Sequence, residues 1–71
     1  MMDYSKLRGA IREKFGSQEE FAAAIEMSSC SLSAKLNGRS EWKASEIVMA
    51  CQALSIPLEQ AWEYFFLTKL L

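Results

Sequence analysis

Residues 17–38, SQEEFAAAIEMSSCSLSAKLNG, decide the fold of this 71-residue chain. Ser17 is followed three residues later by Glu20, and this capping-box spacing marks the start of a helix. Ser28 can cap a second helix, in which two leucines four residues apart share one face. Two short helices joined by a tight turn predict a helix-turn-helix over about residues 18–38.

Three more helices are predicted around this pair. Apolar residues recur at steps of three and four from about residue 3 to Phe15, and Gly16 ends that helix. A fourth helix is predicted from Ala44 to Leu54, and Pro57 suits the first turn of a fifth. No strand pattern is present, so the sequence predicts an all-α fold of five short helices. We expect the core to contain Tyr4, Leu7, Ile11, Phe15, Phe21, Ala24, Ile25, Leu32, Leu36, Ile47, Ala50, Cys51, Leu54, Leu58, Ala61, Trp62 and Phe65, with Trp42 folding back onto the fourth helix.

The composition narrows the classes of function. Eight lysines and arginines against nine acidic residues give a net charge of −1 and a pI of about 5.3, whereas nucleic-acid-binding domains often lie above ~9. Histidine is absent, and Cys30 and Cys51 lack the paired spacing of metal ligands, so we expect no metal site and no cofactor. A nucleophilic serine needs a nearby base, so we also expect no enzyme and no small-molecule substrate.

Length and hydropathy indicate one domain over residues 1–71. A chain of this size buries only about 60% of its unfolded surface, which makes association with a partner or a second copy plausible. The longest apolar run, Tyr64 to Leu67, is far shorter than the ~20 residues that cross a bilayer. Because no secretory leader is visible, we expect no membrane partner, a cytoplasmic location in a bacterial host, and free thiols.

The predicted helix-turn-helix resembles that of the Cro and repressor proteins of temperate phages, an XRE-type family with a five-helix lambda-repressor-like domain. With Trp42 and residues 63–66, the chain is most similar to the short regulators of lactococcal phage switches of the modulator-of-repression, or antirepressor, type. The resemblance implies transcription regulation of a lysis-lysogeny switch beside a cognate repressor. It rests on Gln18, Phe21, Ala22, Ser28, Leu32, Leu36, Asn37, Gly38, Ile47, Ala50, Leu54, Ile56, Pro57 and Leu58.

Two turns and one helix face depart from the family pattern. The family places glycine after helices two and four because the backbone is left-handed there, but this chain has Glu26 and Ser55. Each substitution for glycine costs on the order of 1 kcal/mol. The positions that face bases in the family hold short side chains without an arginine, asparagine or glutamine fork, so direct base readout would be weak. These positions are Ser29, Cys30, Ser31 and Ala34.

The first functional hypothesis is an antirepressor that binds the DNA-binding domain of a cognate repressor. Carboxylates and small side chains on the helix-turn-helix suit a basic protein face better than phosphate. The three glutamates would pair with repressor cations, Met27 and Cys30 would supply apolar contact, and the serines would add hydrogen bonds. The predicted partner-binding residues are Glu19, Glu20, Glu26, Met27, Ser28, Ser29, Cys30 and Ser31.

The alternative is a Cro-like repressor that dimerises and binds double-stranded operator DNA by itself or in a co-complex. Cations would hold phosphates and polar side chains would face the bases. The DNA-binding residues would then be Gln18, Ser29, Ala34, Lys35, Asn37, Arg39 and Lys43. A third possibility with the same fold is a partner in a toxin-antitoxin or restriction-control system.

The C-terminal segment has more apolar residues than one helix face can bury. Part of it belongs to the core, and the surplus predicts an exposed patch that contacts a second subunit. The residues involved are Trp62, Tyr64, Phe65, Phe66, Leu67, Leu70 and Leu71.

Overall fold

A computed structural model describes residues 4–66, which form five α-helices and one 3₁₀ turn without a strand. The all-α, five-helix prediction is therefore confirmed for this part of the chain. The predicted fifth helix is divided, since Pro57 precedes a 3₁₀ turn, Leu58–Gln60, and a short α-helix follows it. The helices are α1 Ser5–Phe15, α2 Gln18–Ala24, α3 Ser29–Leu36, α4 Ala44–Leu54 and α5 Ala61–Phe65.

Helix α1 lies at the centre and packs against α2, α4 and α5, while α3 packs against α2. Its stripe of Leu7 and Ile11 is fully buried, and four predicted positions of α4 are buried as well. Burying these apolar faces against one another is the main favourable term in the stability of such a small fold. The buried apolar residues are Leu7, Ile11, Phe21, Ala22, Ile25, Leu32, Leu36, Ile47, Ala50, Cys51, Leu54, Ala61 and Phe65.

On α2 the expected core residue Ala24 is exposed, and Ala22 is buried in its place. Successive helical residues are separated by about 100° around the axis, so the buried face lies between Phe21 and Ala22. Ala24 falls outside that arc. The sequence pattern correctly predicted that Phe21 and Ile25 are buried. It extended the buried face toward Ala24, whereas the face extends toward Ala22.

In the C-terminal segment the predictions for Leu58 and Trp62 were wrong, because both side chains are exposed. The face of α5 that meets α1 and α4 carries Ala61 and Phe65, which lie four residues apart. A position one residue further along points about 100° away from that face. Leu67, Leu70 and Leu71 lie outside the described residues.

Both predicted serine caps are present. The Ser17 hydroxyl accepts a hydrogen bond from the Glu20 N–H at 3.2 Å, and the Ser28 hydroxyl accepts one from the Ser31 N–H at 3.1 Å. Each satisfies a backbone donor that the first turn of a helix leaves unpaired. The caps therefore set where α2 and α3 begin.

Left-handed residues follow the first four helices. Gly16 and Gly38 adopt φ values of +85° and +78° after α1 and α3. Glu26 and Ser55 adopt φ values of +58° and +59° after α2 and α4, as the missing glycines predicted. Backbone strain is therefore concentrated at two non-glycine turns.

Trp42 lies in the loop between α3 and α4 and packs edge-on against Phe65 of α5, with ring centroids 4.9 Å apart. The sequence predicted that Trp42 folds back onto α4, the next helix, whereas its ring contact is with α5. The indole Nε1 is buried and has no hydrogen-bond acceptor within residues 4–66. None of the helices described is long and apolar enough to cross a membrane.

Candidate partner-binding surface

The α2–α3 surface, defined here as the exposed side chains of residues 17–36, is acidic. Glu19 and Glu20 lie in the first turn of α2, where carboxylates also complement the positive end of the helix dipole. Glu26 follows in the turn, and all three side chains are exposed. Because α2 has seven residues, these carboxylates lie within the breadth of one ordinary protein interface.

Lys35 is the one cationic residue of this stretch, and it does not belong to the exposed surface. The residue is 7% exposed, and its ammonium lies 3.3 Å from a carboxylate oxygen of Glu46. It also donates hydrogen bonds to the Glu41 carbonyl at 3.1 Å and to the Ser40 hydroxyl at 3.5 Å. These contacts tie α3 to the following loop and to α4, and they disfavour the predicted contact of Lys35 with a DNA phosphate.

The Glu46 carboxylate completes this buried arrangement from α4. One of its oxygens accepts a hydrogen bond from the Lys43 N–H at 2.8 Å and so caps the start of α4. Burial alone would raise the pKa of Glu46, but hydrogen bonds from the Lys43 N–H and the Lys35 ammonium outweigh it and lower that pKa. The ion pair therefore joins the C-terminal end of α3 to the start of α4.

Arg8 of α1 also holds the C-terminal end of α3. Its guanidinium donates to the Leu36 carbonyl at 2.7 Å and to the Asn37 side-chain oxygen at 2.9 Å. The Asn37 amide in turn donates to the Ser33 hydroxyl at 3.3 Å. The carbonyls at the end of a helix need such donors, so Arg8 fixes α3 against α1.

The remaining predicted partner-binding residues surround the start of α3. Ser28, Ser29, Cys30 and Ser31 are exposed, whereas Met27 is half-buried and packs against the core. The Met27 side chain therefore divides its surface between the core and the solvent. The start of α3 offers small polar groups and no bulky anchor.

Apart from Lys35, the six other residues of the alternative DNA-binding set fall into three groups in the structure. Gln18 and Ser29 are exposed and Ala34 is half-buried. Asn37 is exposed, but its amide is already bonded on both sides. Arg39 and Lys43 are exposed in the loop after α3, outside the α2–α3 surface.

Several contacts that organise the structure were not identified from the sequence. These contacts join residues far apart in the chain, and charge alone does not reveal a partner. They include the Arg8 contacts with α3, the hydrogen bond from Lys14 to the Ser55 hydroxyl at 2.9 Å, and the Lys6–Glu63 ion pair. The four-residue spacing of Leu58, Trp62 and Phe66 was a signal that could have identified a second apolar face.

The two cysteines have different surroundings and are both free. Cys51 is buried in the core, and burial raises the pKa of its thiol, which remains protonated. Cys30 is exposed at the start of α3. Within residues 4–66 no group of three or more metal-ligating side chains comes together.

Comparison with known proteins places this chain among phage regulators. Residues 1–68 match the model of a family described as "Protein of unknown function (DUF739)". The chain belongs to this family. It is also similar to the solved structure of the modulator of repression of the temperate bacteriophage TP901-1 from Lactococcus lactis. That likeness has 42% sequence identity, a TM-score of 0.81, and coverage of 90% of this chain and 86% of that chain.

At this identity and coverage the chain shares a family with the phage modulator of repression. The resemblance to the modulator-of-repression type, seen in the sequence, is therefore confirmed. No curated protein matches the chain.

Proposed function

We propose that the protein is an antirepressor of a temperate phage switch that binds the DNA-binding domain of a cognate repressor. One observation carries this proposal: between Ser17 and Leu36 three carboxylates are exposed, while Lys35 is buried and paired with Glu46. A face with this charge repels phosphate and attracts cations. The likeness to the modulator of repression supports the same function.

The repressor surface that holds operator DNA is the matching partner. Such surfaces carry lysine and arginine side chains that neutralise phosphates. An acidic α2–α3 surface with small serines at the start of α3 can approach those cations closely, and burying them would block DNA. The proposed mechanism is competition with operator or formation of a co-complex, in the cytoplasm of the bacterial host and without catalysis.

A titration tests the proposal directly. The chain is added to the cognate repressor bound to labelled operator, and the fraction of bound DNA is followed by gel shift. Calorimetry with the repressor's DNA-binding domain gives the affinity. We expect release or remodelling of the complex, and a binding constant that weakens as salt rises because the contacts are ionic.

Charge reversal at the surface provides the matched variants. Glu20→Lys with Glu26→Lys should weaken repressor binding at least about tenfold, because like charges would then face each other. Lysine at position 26 keeps a non-glycine residue in the left-handed turn, so the backbone strain is unchanged. Glu59→Lys on the 3₁₀ turn reverses an exposed charge elsewhere and should leave binding intact.

Two results would contradict the proposal. One is equal repressor affinity for the charge-reversed and wild-type chains. The other is specific protection of operator DNA by the purified chain alone at physiological salt, which would favour the Cro-like alternative with Arg39 and Lys43 on phosphates.

A further inference from the structure

The largest exposed apolar side chains lie in the C-terminal helical segment. Leu58, Trp62 and Phe66 are 60%, 57% and 56% exposed, and they follow one another at intervals of four residues. The four-residue spacing places Trp62 and Phe66 on one side of α5, and Leu58 lies in the 3₁₀ turn directly before that helix. We call these three residues the α5 stripe.

The α5 stripe differs from the face of α5 that the core uses. Ala61 and Phe65 are buried against the core, and Phe65 is also in ring contact with Trp42. The segment is therefore apolar on two sides. A helix that is apolar beyond its core face usually has a second packing surface.

Other contacts hold this segment in place. The Lys6 ammonium pairs with Glu63 and lies 4.9 Å from the centre of the Tyr64 ring. These contacts fasten α5 to α1, so the α5 stripe is presented on an anchored helix. Tyr64 is half-buried, and Phe65 is buried, as the sequence predicted for its core position.

We propose that the α5 stripe is the contact between two copies of this chain. Its three side chains are uncharged, and the neighbouring Glu63 is already neutralised by Lys6. An uncharged apolar surface is best matched by another, whereas the cationic face of a repressor is matched by the acidic α2–α3 surface. The small net charge of −1 opposes self-association only weakly.

The order of the side chains suits a twofold axis. In an antiparallel pair with Trp62 on the axis, Leu58 of each copy faces Phe66 of the other. One stripe is thus complementary to itself, with aromatic rings at the centre and an aliphatic group against an aromatic ring at each end.

The size of the patch predicts a weak dimer. Fully buried aromatic side chains contribute about 150–250 Å² each, so the half-exposed stripe offers roughly 350 Å² per chain. Two copies would bury about 700 Å² through the stripe, below the roughly 1,000 Å² of a stable interface. We therefore expect a dissociation constant on the order of 10⁻⁵–10⁻³ M.

Sedimentation equilibrium of the full chain over about 10 μM to 2 mM tests this proposal around that dissociation constant. The average mass should rise from that of one chain toward that of two. The Trp62→Ser variant, and separately Leu58→Ser, should stay monomeric across the range. The controls are Val48→Ser and Met49→Ser on α4, whose side chains are each 37% exposed and which should associate as the wild type does.

Circular dichroism verifies that every variant remains helical. A wild-type chain that stays monomeric throughout would overturn the proposal, as would Trp62→Ser and Leu58→Ser variants that both dimerise normally. If Trp62→Ser weakens repressor binding without changing the mass, the stripe is a repressor contact and the dimer proposal fails. Glu20→Lys with Glu26→Lys should leave self-association unchanged, which separates this test from that of the antirepressor function.

Discussion

The α2–α3 surface and the α5 stripe lie on the same small protein but differ in chemistry. The first carries exposed carboxylates and serines around the start of α3, while the second carries Leu58, Trp62 and Phe66. In both regions the character of the exposed surface depends on which side chain is buried. In the first region Lys35 is buried and paired with Glu46, and in the second Phe65 is buried in the core.

This difference is the reason for proposing different partners for the two regions. An acidic face gains affinity and orientation from a cationic partner and loses both at high salt. An apolar face gains from the removal of water and has little dependence on salt. Four predictions test whether the division between exposed surfaces and buried contacts is correct.

The largest effect is expected at α5. Phe65→Ala should lower the free energy of unfolding by about 3 kcal/mol, because it leaves a cavity beside Trp42 in the core. Trp62→Ala should change it by less than about 1 kcal/mol, since that side chain is mostly in water at low concentration. Urea unfolding at about 10 μM measures both. Equal losses would mean that the stripe is part of the core.

A smaller loss is expected at the Lys35–Glu46 ion pair. Lys35→Met should destabilise the fold by about 2 kcal/mol, because it leaves the Glu46 carboxylate without its cation. We place it below the range for fully buried pairs since Glu46 retains some exposure. Lys43→Met, a matched removal of an exposed charge, should stay within about 0.5 kcal/mol. If Lys35→Met left the free energy of unfolding unchanged, the ion pair would not be needed for stability, and Lys35 would count among the cations available to a partner.

The two strained turns allow stability and binding to be separated. Glu26→Gly should raise stability by about 0.5–1 kcal/mol, because glycine adopts a left-handed backbone without strain. Ser55→Gly should raise stability by less, because it also removes the hydroxyl that accepts a hydrogen bond from Lys14. Only Glu26→Gly should also weaken repressor binding, since Ser55 lies outside the acidic surface. Thermal unfolding and calorimetry give the two quantities. A loss of repressor affinity in both variants would point to a change in backbone geometry and not in charge.

The smallest effect concerns pH. The pKa of Glu46 is lowered in the folded state, so its ionised form stabilises the fold above the ordinary carboxyl pKa. That contribution disappears as the pH falls through the lowered pKa. Lys35→Met should make the loss of stability in acid shallower, because it removes one hydrogen bond to the carboxylate. Urea unfolding between about pH 7 and pH 3 measures how steeply the free energy of unfolding falls with pH in the wild type and the variant. An equal slope in both would show that the Lys35–Glu46 contact does not cause the loss of stability in acid.

Local signals were sufficient to predict the first four helices and where they end. Ser17 and Ser28 cap α2 and α3, and Gly16 ends α1, because each acts on backbone groups within four residues of itself. The strain at Glu26 and Ser55 was also predictable, since it depends on a single residue type in a particular turn. These features need no knowledge of distant parts of the chain.

The candidate surface was only partly predictable. The sequence placed the carboxylates and serines on exposed parts of α2 and α3, but it treated Lys35 as an available cation. Its partner Glu46 lies on another helix and is eleven residues away in the chain. No local pattern distinguishes a lysine that pairs inward from one that meets solvent.

The sequence by itself determined the all-α character, the helix caps, the strained turns and the acidic residues of α2, because these follow from side chains and their near neighbours. Only the tertiary structure decided which of two overlapping apolar series in the C-terminal segment meets the core. Leu58 and Trp62 repeat every four residues just as Ala61 and Phe65 do, so periodicity fits either orientation. The packing of α1 and α4 against Ala61 and Phe65 selects one and leaves the other in water.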